Sequence, residues 1–133
     1  MSDHNTYDRW VMPESEARLS SLLGLAYEPS MQDWDLQCAA PHRIGEFLDL
    51  YERGSLSGED QFALMSLIVA SFDAWISKGG TDEQVLQRVR RCLIADFRLH
   101  EPTIYCWCLL SEKELDCVFS ITPFMREIWR LFR

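Results

Sequence analysis

The sequence lacks any apolar run long enough to cross a bilayer. Its longest internal stretch without a charge is Gln61–Phe72, twelve residues, where a helix through ~30 Å of hydrocarbon needs about 20. The opening residues, MSDHNTYDRW, carry neither the basic region nor the apolar core of a secretory signal. Together these absences point to a cytoplasmic protein. No stretch alternates strictly between polar and apolar residues, so strands are not expected. There is no repeat of fixed period, no low-complexity run and no proline-rich linker to divide the chain. HxxxH, HExxH, GxSxG and CxxC are all missing, and the six glycines form no phosphate cradle. The local signatures of zinc hydrolases, serine hydrolases, dithiol redox proteins and nucleotide-binding loops are therefore absent.

Five cysteines are present, an odd number whose spacings fit no disulfide framework. The segment TIYCWCLL (103–110) brings two of them closest together. On a helix, Cys106 and Cys108 lie about 200° apart and cannot converge on one metal. Cys38, Cys92 and Cys117 have no partner at ligand spacing either. The expectation is that these thiols pack as small hydrophobes, TIYCWCLL being a buried helix with no metal or cofactor bound.

Charge is distributed unevenly. Residues 1–83 hold 15 acids against 5 bases, a balance of −10, and residues 84–133 hold 6 against 8, a balance of +2. An acidic surface repels phosphates, so nucleic acid is not an expected ligand. A basic protein is.

Helical spacing runs through the chain. Pro13 fits a first turn, followed by Leu19, Leu22, Leu23 and Ala26 on one face. Residues 28–41 show no period and are expected to form a connection. Pro41 opens a second helix with Ile44, Phe47, Leu48 and Tyr51 at i, i+3, i+4 and i+7, ended by Gly54. Ser57 with Asp60 caps a helix over 58–78, apolar almost all round and so central, which Gly79–Gly80 stops. Thr81 with Gln84 forms a capping box for a helix whose face is Val85, Val89, Cys92, Leu93 and Phe97. Pro102 is expected to start the next helix, Ser111 with Glu114 to cap a short one through Phe119, and Thr122–Pro123 to start the last. The fold expected is all-α: one domain over residues 1–133, an irregular bundle of six or seven helices, with residues 1–12 frayed.

Three groups of polar residues stand out. Asp96 falls within about 20° of Val85 on the helical wheel, in the middle of an apolar face. A carboxylate there needs a cap, an arginine or a proton, and a general acid or base built with a histidine is the catalytic alternative. Asp73 on the central helix is a weaker case of the same kind. On the last helix, Arg126, Arg130 and Arg133 are set for internal ion pairs or a second contact. The third group is acidic: Asp33 and Asp35 flanking Trp34, Glu46 and Asp49 on the outer face of the second helix, and Glu59 and Asp60 at the start of the central one. Each alone reads as a solvated acid. Together with Trp34 they compose a negative docking surface with an aromatic anchor, suited to a basic partner.

IGEFLDLYERGSLSGEDQFALMSLIVASFDAW (44–75) and HEPTIYCWCLLSEKELDCVFSITPFMREIW (100–129) together resemble small bacterial immunity proteins. These are the cytoplasmic antidotes of contact-dependent growth inhibition and other polymorphic toxin systems. The resemblance implies a non-enzymatic inhibitor, binding one-to-one the C-terminal toxin domain of a cognate effector. Many such toxins are nucleases with basic clefts, which suits the acidic half. The acidic surface named above comes from the charge pattern and not from the resemblance. The alternatives are a helical adaptor or regulatory subunit for another basic protein, and a small hydrolase built on Asp96 and a histidine. A monomer or a weak homodimer through the C-terminal helix is expected.

Overall fold

A computed structural model describes residues 9–80, 82–114 and 118–133. Within them the protein is all-helical: α1 (Pro13–Leu23), α2 (Trp34–Gln37), α3 (Ile44–Glu52), α4 (Gly58–Ser77), α5 (Glu83–Ala95), α6 (Phe97–Cys108) and α7 (Thr122–Phe132), with a 3-10 turn over Pro41–Arg43 leading into α3. None is long and apolar enough to cross a membrane.

α4 is the hub. The Ser57 hydroxyl accepts from the Asp60 amide at its start, and Phe62–Phe72 is buried residue after residue. α1, α2, α3 and α6 all pack on α4, while α7 closes over α6 and α5 over α3. Burial on every side leaves α4 no polar face, as its sequence implies. At its far end Gly79 sits at φ +85°, and the Gly80 amide donates to the Trp75 carbonyl at 3.0 Å. A left-handed glycine turns the chain toward α5.

The helix boundaries differ from the sequence expectation at several points. Gly24, at φ +66°, ends α1 at Leu23, so Ala26 is outside the helix and Leu22 is exposed. Residues 28–41 contain the short α2. α5 is capped by Asp82, whose carboxylate accepts from Gln84 and Val85; Thr81 lies outside the described residues. α6 begins at Phe97 and carries Pro102 within it. Asp96 breaks the helical path with a bend at φ −114°, ψ 38°, and the next helix starts there. Glu112–Glu114 is not helical, and the middle of the short helix expected over 111–119, with Cys117, lies outside the described residues, as does most of the tail expected to fray.

TIYCWCLL has two sides. Ile104, Trp107 and Cys108 are buried, while Tyr105, Cys106 and Leu110 are exposed. The two cysteines do point apart, but the segment is not enclosed all round, because α6 faces α4 and α7 on one side only.

Candidate functional site

Trp34, expected as the exposed anchor of a docking surface, is a core residue. It is 1% exposed, and its indole Nε1 donates to the Ser20 hydroxyl. The four-residue α2 turns the ring inward against α4, leaving Asp33 exposed and Asp35 half-buried. The aromatic centre of the expected surface is therefore gone.

The acids separate into two groups. Most of those proposed from sequence are held by arginines. Asp60 is buried, accepts from Ser15 Oγ at 2.6 Å and is gripped by Arg18 through Nε and Nη2 at 3.0 and 2.8 Å. The Arg18 guanidinium, helped by Ser15, holds this carboxyl below its ordinary range against the opposing effect of burial. Glu59 pairs with Arg9, whose guanidinium also lies 4.5 Å from the centre of the Phe62 ring. Glu46 pairs with Arg43, which also donates to the Leu23 carbonyl at 2.6 Å. Asp49 shares Arg88 with Glu52, at 2.8 and 2.7 Å, tying α5 to α3. These acids organise the fold.

The second group has no cation within ion-pair distance among the described residues. It includes Asp33, Asp35, Glu14 and Glu16 on and beside α1 and α2. Burial first, and then the neighbouring Asp35 charge, push Glu16 above the usual carboxylate range, while Tyr27 opposes this by hydrogen bonding. Asp35 is pushed up by burial and by Asp33. Cys38 is raised by burial and then by Glu16 and Asp35. Asp35 thus makes Glu16 harder to ionise, and Asp33 does the same to Asp35, as like charges do at short range. Glu14 and Glu16 were missed from sequence; the signal was their place in the first turn of a helix whose only arginine, Arg18, serves Asp60.

A third cluster is buried. Tyr51 Oη lies 2.6 Å from Asp96 Oδ2 and 2.6 Å from His100 Nε2. Asp96 thus finds a tyrosine hydroxyl, not the arginine or cap expected of it. Sequence could have suggested this, since Tyr51 and Asp96 are polar groups on apolar faces and each needs a partner. His100 is 0% exposed, and its Nδ1 has no hydrogen-bond partner. Burial pushes its pKa down to about 4, with Asp96 opposing and Arg9 reinforcing. Asp96 borders a shallow surface groove with Phe97, Arg98, Leu99 and Phe132, but the imidazole behind it is sealed.

The other polar residues singled out have structural partners. Asp73 accepts from the Ile121 amide at 2.9 Å and so fixes the start of α7. Arg126 donates to the carbonyls of Cys108, Leu109 and Glu112, and Arg133 pairs with Glu101. Among the described residues no three His, Cys, Asp or Glu side chains gather as a metal ion would need. The chain matches no protein-family model, no curated protein and no solved structure.

Proposed function

We propose that the protein is a non-enzymatic immunity protein that binds and neutralises the basic toxin domain, nuclease-like in charge, of a cognate bacterial effector in the cytoplasm. One observation carries this reading: Glu16, Asp35 and Asp33 lie next to one another with no cation at ion-pair distance among the described residues, while the arginines nearby are spent on other acids. A fold gains nothing from such crowding, whereas a basic partner would relieve it and be steered toward it. The resemblance of residues 44–75 and 100–129 to immunity proteins points the same way. The docking face is accordingly the α1–α2 side, centred on Glu16, Asp33 and Asp35, with Trp34 and Asp60 beneath the surface and Glu46, Asp49 and Glu59 engaged by arginines.

The test is co-expression with the C-terminal domain of the large effector encoded next to this gene. Rescued growth and a purified one-to-one complex are the expected results, with association slowed by salt. Failure of rescue with every neighbouring effector would sink the reading. A stable complex with a basic protein that is not a toxin would replace it with the adaptor reading.

A further inference from the structure

We propose that Asp96, Tyr51 and His100 form an acid-released latch that fastens α3 to the α5–α6 corner. The proton count fixes its state. Tyr51 has one hydroxyl proton and two partners at 2.6 Å. Donating it to the Asp96 carboxylate leaves the phenolic oxygen as acceptor for His100, so the imidazole carries its proton on Nε2. Nδ1 is then a bare lone pair, and it is the atom found without a partner.

That lone pair is where acid acts. A proton on Nδ1 would create a donor with no acceptor and a charge with no water, in a site 0% exposed. The surroundings supply little to offset it. α3 presents the Tyr51 hydroxyl, already engaged. The α5–α6 corner presents the Asp96 carboxylate, reached only through Tyr51, and α5 presents the thiol of Cys92. Glu101, next along α6, is paired with Arg133 of α7. α4, packed on α6, carries no ionisable side chain between Asp60 and Asp73. From the segment before α1, Arg9 adds positive charge, which opposes protonation. His100 therefore takes its proton by leaving the site, and the Tyr51 bridge parts. α4 holds α1 and α2 without this bridge, so the release is local: α3 and the corner loosen before the rest of the core.

The measurement is amide hydrogen exchange on the full chain from pH 7.5 to 4.5, corrected for intrinsic rates. Protection in 44–52 and 97–108 should fall about tenfold per pH unit between about 6 and 5. It should stay well below that of 62–72 in α4 throughout. His100→Gln keeps an amide donor without a titrating ring and should abolish the slope. One shared protection factor for all three segments, or an undiminished slope in His100→Gln, overturns the latch. Should that variant not fold, nitrogen NMR of the wild-type imidazole decides instead. A bare Nδ1 persisting below pH 5 supports the latch, and a ring that titrates near 6.5 within the folded protein overturns it.

Discussion

The indole of Trp34 donates to the hydroxyl of Ser20 at 3.0 Å, and both side chains are buried. This bond joins α2 to α1 beneath the acidic surface, so Trp34 supports that surface without being part of it. Trp34→Phe should lose about 1–3 kcal/mol of stability by leaving Ser20 unpaired, and Trp34→Ala about 3–5 kcal/mol by opening a cavity as well. Urea unfolding measures both. A binding defect in Trp34→Phe with stability unchanged would contradict this placement.

His100 makes stability depend on pH in a defined direction. Its folded pKa, about 4, lies below its ordinary 6.5, so the unfolded chain takes up the proton first. This contribution is complete above about pH 6.5, is lost as pH falls toward 4, and levels off below that. The window is worth on the order of 3 kcal/mol. Denaturation midpoints at pH 7.5 and 4.5 should differ accordingly, and much less in His100→Gln.

Arg88 bridges Asp49 and Glu52 from across the α3–α5 contact. Because Asp49 and Glu52 both face solvent, screening limits the effect. Arg88→Met should cost about 1 kcal/mol or less at low salt, and the difference should shrink toward zero at 1 M salt. A salt-independent loss would mean that the aliphatic stem, not the charge, holds α5.

How much of this was legible in the sequence differs between residues. α4 was, because a long apolar stretch between Ser57 and two glycines admits few alternatives. Tyr51 at i+7 from Ile44 was correctly placed on the inner face of α3. Trp34 was not: four residues are too short to show a period, and the acids on either side imitate a solvent-exposed turn. What buries the ring is Ser20 and α4, which only the folded chain brings close. Pro102 misled for a related reason. Proline favours a first turn, yet the break that starts α6 lies at Asp96, which was read as the middle of a face. An acidic docking surface was expected from the charge pattern, which could not tell which carboxylates the arginines would claim.

Asp35 and Asp60 provide a test that separates binding from folding. Asp35→Lys should leave Tm unchanged or raise it, since it removes like-charge crowding. The same change should slow association with a basic partner by about tenfold or more. Asp60→Lys should instead unfold the α1–α4 contact, because it sets a cation against Arg18. Equal thermal losses from the two changes would undo the distinction between free and committed acids.

Gly80 leaves no room for a larger residue, since a Cβ there would run into the Trp75 indole. Gly80→Ala should cost about 1–3 kcal/mol, and Trp75 fluorescence should shift as the ring is displaced. An unperturbed emission spectrum would show that the turn relaxes freely.

The two-sided character of α6 also gives the protein a chemical clock. Cys106 is open to solvent, and Cys108, one residue beyond Trp107, is sealed with its thiol pKa pushed up to about 11 by burial. Burial also raises the Cys106 thiol, but an alkylating reagent should reach it in the closed helix and reach Cys108 only when the helix parts from its neighbours. The ratio of the two adducts, read from a single peptide, reports how often that parting occurs, without a probe being introduced anywhere in the chain.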